Sequence, residues 1–214
     1  MEKPLDPVTI KIGTGNENIK TIDDFMPKED WQKFYDYFKS IENRQDKYRY
    51  FNYPNELLSQ EMKGLVDKYT IILRNKVTEL YNVEFQNDRT ASLFIHPEGS
   101  ELHPHSDTIE EYKSEVNDVE RYNETDKEYK VPTYEDLKDK FPLRWSGHIS
   151  VLIYINDDYE GGEIYFPDRN IEIKPKANMF ISFPGNTHYL HGVKTVKNNA
   201  RFSLSLWTKF KDFQ

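Results

Sequence analysis

The spacing of apolar residues changes along the chain, from a helical period in the first third to a strand period after residue 90. Apolar side chains recur three or four positions apart over about 27–41 and again over about 55–80, which predicts two amphipathic helices. Ahead of them, alternating Val and Ile residues and a glycine-rich turn predict an edge hairpin within about 8–25. We expect residues 1–89 to supply an N-terminal strand and supporting helices.

After residue 90 the chain consists of a series of short predicted strands. These cover residues 91–95, 148–156, 163–166, 171–173, 179–183 and 201–207. Successive short strands without helices between them are typical of an antiparallel sandwich or barrel. The sequence therefore predicts an α+β protein that is mainly β, with a β-rich part over 90–210.

Two of the predicted strands have one apolar face and one mixed face. Over 148–156 the odd-numbered positions are all Val or Ile, whereas the even-numbered positions include Leu152 and Tyr154. Over 201–207 apolar residues alternate with Arg201, two serines and a tryptophan. An arginine on the mixed face of a core strand needs an anion, because a buried charge is costly unless it is paired.

Residues 108–146 interrupt the series of strands. They are rich in Asp, Glu and Lys, yet they also contain six aromatic residues, and Thr133 with Asp136 forms a plausible helix start. Segments without structure rarely contain so many aromatic residues. The insertion is either a lid over the site or a solvated loop that packs its rings on the flank, and the sequence leaves both open.

Length and charge narrow the class of protein. A chain of 214 residues suits a single domain over 1–214. The formal net charge of −8 argues against a broad nucleic-acid surface, although a local basic groove is compatible with it.

The absence of cysteine excludes disulfides, thiolate metal sites and cysteine nucleophiles, and it favours a cytoplasmic protein. We recognise no signal peptide and no apolar stretch near the ~20 residues of a membrane helix, so we expect a soluble protein without a membrane partner.

Candidate chemistry lies in residues 102–107, Leu-His-Pro-His-Ser-Asp. If His105 and Asp107 lie at the end of a strand, both side chains point to the same face, where an imidazole nitrogen and a carboxylate oxygen can bind one divalent ion. Two histidines and one carboxylate on one face of an octahedral ion leave three positions open, as in non-haem Fe(II) enzymes. The second histidine must come from elsewhere. The pair by itself is weak evidence for a metal site, because most such pairs are ordinary surface residues.

Three further features make the sequence resemble one family. His191 lies in a His-Gly-Val context, Arg201 follows ten residues later, and residues 154–167 read Tyr-Ile-Asn-Asp-Asp-Tyr-Glu-Gly-Gly-Glu-Ile-Tyr-Phe-Pro. With the His-x-Asp pair, these residues resemble the prolyl 4-hydroxylase-like branch of the Fe(II)- and 2-oxoglutarate-dependent dioxygenases over about 91–210. The resemblance implies a double-stranded β-helix, a jelly-roll or cupin-like barrel, with the N-terminal helices as its support.

The resemblance also implies roles for individual residues. The iron ligands would be His105, Asp107 and His191, and the distal carboxylate of 2-oxoglutarate would be bound by Arg201 and Tyr154. Arginine suits this task because its guanidinium can donate two parallel charge-assisted hydrogen bonds. No catalytic residue is expected beyond the iron ligands. The residues expected to line the pocket are His96, Leu152, Ser205 and Trp207, where His96 replaces the tyrosine usual in the family.

The implied reaction is hydroxylation of an unactivated C–H bond, coupled to oxidative decarboxylation of 2-oxoglutarate to succinate and CO2. Fe(II) is the implied cofactor, O2 is the second cosubstrate, and ascorbate is a candidate reductant. Asp107 favours hydroxylation, because related halogenases lack this carboxylate. The expected substrate is a peptidyl proline in a peptide or protein partner, and the alternative is another amino-acid side chain or a small molecule. Nucleic acid is disfavoured, since nucleobase demethylases typically have a second arginine where this chain has Trp207.

Two rival interpretations use the same residues differently. In a cupin-like domain that binds metal without oxygenase activity, the ligands would be His103, His105, Glu110 and His191. That set leaves Arg201 unexplained. In a catalytically inactive scaffold, the acidic segment 108–146 would bind partners. The dioxygenase interpretation leaves four histidines outside the ligand set: His96, which is expected to line the pocket, and His103, His148 and His188.

Overall fold

The computed structural model describes residues 11–42, 52–87, 89–107, 148–209 and 211. Its two long helices are α1, Lys28–Ile41, and α2, Gln60–Tyr81. Both predicted helices are confirmed, although residues 55–57 form a separate 3-10 turn ahead of α2. The Ser59 hydroxyl accepts a hydrogen bond of 3.2 Å from the Met62 amide and so caps the start of α2. Within the described residues no helix combines the length and apolar composition needed to cross a membrane.

The described strands form three antiparallel sheets. The major sheet contains, in spatial order, β1 (Lys20–Ile22), β9 (Met179–Pro184), β5 (His148–Tyr154), β12 (Arg201–Lys209), β3 (Ser92–His96) and β2 (Asn52–Tyr53). The minor sheet contains β4 (Leu102–His105), β10 (His191–Val193), β7 (Ile164–Phe166) and β8 (Ile171–Ile173). A short pair joins β6 (Glu160–Gly161) and β11 (Val196–Lys197). Every predicted strand after residue 90 has a counterpart among these strands.

The major sheet is covered on both faces. Its outer face packs on the two helices, where the rings of Phe38 on α1 and Phe202 on β12 stack with centroids 4.8 Å apart. Its inner face points to the minor sheet, where Phe183 on β9 contacts Phe166 on β7 edge to face at 5.1 Å. The molecule therefore has the predicted fold, which is mainly β: a double-stranded β-helix supported by N-terminal helices.

The alternation along β5 and β12 decides which side chains face the minor sheet. The odd-numbered β5 residues 149, 151 and 153 belong to the core on the helix side, as predicted. Tyr154 belongs instead to the core between the sheets. On β12 the alternate residues 202, 204 and 206 lie on the helix side, which leaves Arg201 on the inner face. The mixed faces therefore line the space between the two sheets.

The N-terminal segment departs from the predicted hairpin. Among the described residues, β1 pairs with β9 at the edge of the major sheet, and no strand between residues 11 and 19 precedes it. Residues 11–12 are helical, and a 3-10 turn spans Asn16–Asn18. The Asn18 side-chain amide donates to the carbonyls of residues 12 and 13 at 3.0 and 3.2 Å, which folds the segment back and competes with strand pairing. The hairpin prediction is therefore wrong for the described residues.

Some predictions lie outside the described residues. These include the first half of the hairpin over residues 1–10 and both interpretations of the 108–146 insertion. The division into helical support before residue 90 and a catalytic part after it likewise stays a prediction.

Candidate metal centre and anion pocket

The minor sheet brings two histidines together. β4 and β10 are antiparallel neighbours, and His105 at the end of β4 lies directly opposite His191 at the start of β10. Asp107 follows two residues after His105. The three side chains each offer a ligand atom, and these atoms lie within 4.8 Å of one another. Among the residues that the structure describes, this is the one group of histidine and carboxylate side chains close enough to hold a metal ion.

Backbone carbonyls orient both histidine rings. His105 Nδ1 lies 2.8 Å from the carbonyl oxygen of His103, and His191 Nδ1 lies 3.1 Å from that of Tyr189. A carbonyl oxygen can only accept, so each Nδ1 carries a hydrogen, and in the neutral form of each ring the lone pair that can bind a metal is on Nε2. The two Nε2 atoms each lie 3.5 Å from Asp107, one facing Oδ1 and the other Oδ2. The three side chains therefore converge as the donor set of a non-haem iron site.

Asp107 is held by a serine on the major sheet. Ser150 on β5 donates a hydrogen bond of 2.5 Å from Oγ to Asp107 Oδ2. A Cβ placed on Gly185 would lie 2.9 Å from Ser150 Oγ and 3.1 Å from Asp107 Cβ, so a larger residue there would disturb the pair. The sequence placed Ser150 on a mixed strand face but indicated no role for it. The strand period was the signal that could have marked it as facing the site.

Burial and charge set the protonation of the three side chains. Burial lowers the pKa of His191 to about 4, although the Asp107 carboxylate acts in the opposite direction. Burial by itself would raise the pKa of Asp107, but the two histidines and Ser150 outweigh it and hold that pKa well below its usual range. Burial would lower the pKa of His105, but the hydrogen bond and charge of Asp107 outweigh it and raise that pKa. At neutral pH the site therefore offers a carboxylate and a neutral His191.

His191 is also positioned from the N-terminal segment, through Tyr189. The Tyr189 hydroxyl donates to the Gly15 carbonyl at 2.9 Å and accepts from the Asn18 side chain at 3.0 Å. The Arg169 guanidinium lies 3.8 Å above the Tyr189 ring. Because the Tyr189 carbonyl accepts the His191 Nδ1 hydrogen, these contacts hold the group that orients the ligand. The sequence indicated none of this, since Asn18 and Tyr189 are 171 residues apart.

Arg201 is a buried cation with poorly satisfied donors. It is 1% exposed; its Nη1 makes a long 3.4 Å hydrogen bond to the Gly162 carbonyl, and its Nε has no hydrogen-bond partner among the described residues. The buried Tyr154 hydroxyl also has no partner among them, and the Tyr154 ring centroid lies 5.4 Å from Arg201 Cζ. Burial raises the pKa of Tyr154 against the effect of Arg201, so the hydroxyl is a donor at neutral pH. These unpartnered donors suit a carboxylate ligand.

The residues predicted to line the pocket share the inner face of the major sheet. His96 lies directly opposite Arg201, Ser205 lies opposite Leu152, and Trp207 lies opposite Ser150. Directly opposed residues of antiparallel strands point to the same face. Burial lowers the pKa of His96 well below its usual value and Arg201 adds to the effect, so the imidazole beside the guanidinium is neutral. The roles of these residues, like those of the ligands, stay predictions.

The remaining described histidines lie outside the metal-ligand group. His103 is half exposed, and its Nε2 lies 4.0 Å from Glu101 Oε1. His148 is buried at the start of β5, and His188 lies in the 3-10 turn before β10. The cupin-like interpretation uses Glu110 as a ligand, and this residue lies outside the described residues. That interpretation does not use Asp107, which belongs to the observed group.

Known proteins resemble this chain in sequence. The family model of the 2OG-Fe(II) oxygenase superfamily matches residues 91–209. Prolyl 3-hydroxylase 2 of Homo sapiens is 41% identical over 63 residues, which make up 27% of this chain and 9% of that protein. The chain therefore corresponds to a small part of this curated relative.

Solved structures share the fold at low sequence identity. The viral collagen prolyl hydroxylase of Paramecium Bursaria Chlorella virus-1, in its 2OG complex, has a TM-score of 0.58 at 17% identity and covers 91% of this chain and 97% of its own. A Trichoplax adhaerens prolyl hydroxylase, in complex with a hypoxia inducible factor peptide fragment, has a TM-score of 0.59 at 13% identity, with coverages of 95% and 89%. The match over 91–209 spans more than half of the chain and contains the metal triad and Arg201, and the chain belongs to the 2OG-Fe(II) oxygenase superfamily.

Proposed function

We propose that the protein is a hydroxylase that uses Fe(II), 2-oxoglutarate and O2 to oxidise an unactivated C–H bond, with a peptidyl proline as substrate. One observation carries the proposal: the space between the sheets contains both a metal-ligand triad and a buried, incompletely satisfied Arg201. A 2-oxo dicarboxylic acid needs both, because its oxo acid end chelates a metal and its distal carboxylate needs a cation. Bound iron would supply the oxidising chemistry, with release of succinate and CO2.

The triad would hold iron on one side only. His105 and His191 both bond through Nδ1 to backbone carbonyls, which leaves Nε2 for the metal, and Asp107 presents an anionic oxygen, so the three would fill one face of an octahedral ion. Iron held by these three residues would have coordination positions left for 2-oxoglutarate and O2. Asp107 would occupy the coordination position that a halide takes in the related halogenases, which lack this carboxylate. Its presence therefore supports hydroxylation.

The pocket at Arg201 would bind and orient the cosubstrate. Arg201 Nε and the Tyr154 hydroxyl can donate to a distal carboxylate, and the charge of the guanidinium compensates that of the ligand. The surrounding burial excludes water, which strengthens these hydrogen bonds. Neutral His96 beside Arg201 adds no second positive charge to the pocket.

A prolyl substrate is supported by the relatives. The matching curated protein is named a prolyl 3-hydroxylase, and the Trichoplax adhaerens prolyl hydroxylase was solved with a peptide fragment. The matched segment makes up 9% of the curated relative and 27% of this chain.

The test has two stages. Anaerobic addition of Fe(II) and 2-oxoglutarate should produce a weak visible charge-transfer band in the wild type and none in Asp107→Ala. Succinate formation should then be monitored over pools of proline-containing peptides, with matched peptides in which alanine replaces proline, and the oxygen gain should be located by mass spectrometry. Succinate production that depends only on proline-free peptides or small molecules would refute the prolyl assignment. Absence of the band in well-folded wild-type protein would refute the oxygenase proposal and favour the inactive scaffold.

A further inference from the structure

Tyr159 is a buried tyrosine to which neither the family resemblance nor the proposed function assigns a task. It lies in the loop between β5 and β6, directly before Glu160, and it is 5% exposed. Its hydroxyl has no hydrogen-bond partner among the described residues. Native proteins rarely bury a hydroxyl without a partner, because the lost hydrogen bond to water is not replaced. This atom therefore indicates a partner that the described residues do not supply.

A glycine allows Tyr159 to approach the Arg201 side chain. A Cβ placed on Gly162 would lie 2.7 Å from Tyr159 Cε2 and 3.4 Å from Arg201 Cδ. Gly162 has a φ of +66°, a conformation that glycine adopts without strain. Its carbonyl accepts the hydrogen bond of Arg201 Nη1. The tyrosine ring and the arginine stem thus pack against the same glycine, which places Tyr159 beside the anion pocket.

The surroundings of Tyr159 keep its hydroxyl protonated, so that it can donate a hydrogen bond. Burial raises the pKa of Tyr159 well above its ordinary value, and Arg201 is near enough to oppose the shift while Tyr154 adds to it. The Lys174 ammonium lies 4.9 Å from the Tyr159 ring centroid and donates to the Gly161 carbonyl at 2.5 Å. The phenol is therefore protonated at neutral pH, with a cation over its ring.

We propose that the Tyr159 hydroxyl donates a hydrogen bond to the distal carboxylate of the bound 2-oxo acid, as a third donor beside Arg201 and Tyr154. A carboxylate has about four acceptor sites, so three donors can be accommodated. The inference rests on the proposed function, because it names a contact of the same cosubstrate. It makes Tyr159 a residue that selects dicarboxylic over monocarboxylic 2-oxo acids, since only a dicarboxylic acid reaches it with an anionic oxygen.

The test compares Tyr159→Phe with the wild type, using Mn(II) in place of Fe(II) so that no turnover occurs. Calorimetric titration gives the Kd of Mn(II) and then the Kd of 2-oxoglutarate at saturating Mn(II). Loss of a hydrogen bond to a charged group should raise the 2-oxoglutarate Kd roughly tenfold to a hundredfold. The Mn(II) Kd should not change. The metal-free variant should melt at the same temperature as the wild type or higher, because the substitution removes an unsatisfied buried hydroxyl.

Tyr69→Phe is the matched control. The Tyr69 hydroxyl is also on a buried ring, but it donates to Asp30 at 2.8 Å between the two helices. This variant should melt at a lower temperature than the wild type and bind 2-oxoglutarate with an unchanged Kd.

Three outcomes would overturn the role of Tyr159. They are an unchanged 2-oxoglutarate Kd in Tyr159→Phe, a parallel loss of Mn(II) and 2-oxoglutarate affinity, and a lower melting temperature of the metal-free variant, which would indicate a structural partner for the hydroxyl. If the wild type with Mn(II) fails to bind 2-oxoglutarate, the proposed function itself is wrong. The two failures are therefore distinguishable.

Discussion

The two ends of the space between the sheets differ in how far the protein satisfies its own polar atoms. At the metal end, Ser150 donates to Asp107 at 2.5 Å, and the Nδ1 atoms of the two ligand histidines bond to backbone carbonyls. At the anion end, three buried polar atoms have no hydrogen-bond partner among the described residues. These are Arg201 Nε, the Tyr154 hydroxyl and the Tyr159 hydroxyl.

This difference indicates two ways of building a binding site. The metal end is organised in advance, because each ligand side chain is already oriented by a neighbour. The anion end is completed only when a carboxylate binds, since each unsatisfied buried group costs about 1–3 kcal/mol that a ligand can recover. Substitutions at the two ends should therefore change different measurements. Metal affinity should fall at one end, whereas cosubstrate affinity should fall at the other without a loss of metal-free stability.

The largest expected effect is the loss of metal binding in Asp107→Ala. The substitution removes the anionic ligand, so Mn(II) affinity should fall by well over the roughly 100-fold that loss of an outer partner costs. Calorimetric titration with Mn(II) measures it, and Glu110→Ala is the control that should retain binding. The opposite pattern, with Glu110→Ala losing metal and Asp107→Ala retaining it, would replace the dioxygenase ligand set by the cupin-like one.

Arg201→Met should separate cosubstrate affinity from stability. Removing the cation that pairs with a buried carboxylate should raise the 2-oxoglutarate Kd about a hundredfold or more. The metal-free variant should unfold at the same temperature or higher, because an apolar side chain replaces a buried charge with unsatisfied donors. Binding is measured at saturating Mn(II), and stability is measured by thermal unfolding. A marked drop in melting temperature would mean that Arg201 is a structural residue and that the comparison between the two ends is wrong.

Ser150→Ala should weaken metal binding without abolishing it. Asp107 would lose the hydrogen bond that orients its carboxylate, and Mn(II) affinity should fall roughly 10–100-fold. Ser182→Ala is a matched control on the outer face of the same sheet, where the hydroxyl bonds to Tyr81 at 3.0 Å. Equal Mn(II) affinities in both variants would show that Asp107 needs no support from Ser150.

The smallest expected effect is the pH dependence of folding stability that His191 contributes. The folded, metal-free protein holds the pKa of His191 at about 4, whereas an unfolded histidine titrates near its ordinary value of about 6.5. Between these values the unfolded state binds more protons, so stability should fall with pH from about 6.5 toward 4, by on the order of 1–2 kcal/mol near pH 5. Urea unfolding at several pH values measures this dependence, which should be weaker in His191→Gln. Identical pH dependence in both proteins would contradict the buried, neutral state of His191.

Local patterns made much of the fold predictable. The 3.6-residue period marked α1 and α2, and the two-residue period assigned the faces of β5 and β12, because both periods are properties of the backbone itself. The hairpin prediction was wrong because a local pattern does not contain the hydrogen bonds that a single side chain makes. The Asn18 side chain bonds to nearby carbonyls, and this contact redirects a segment whose alternation alone favours a strand.

The sequence by itself determined which residue types were available for chemistry: a His-x-Asp pair, a distal His191, and Arg201 on a strand face that is otherwise suited to burial. The tertiary structure decided which side chains support them. Ser150 reaches Asp107 across 43 residues of chain, and Asn18 reaches Tyr189 across 171. Such contacts depend on how the sheets pack and on the register between strands, which no local period encodes.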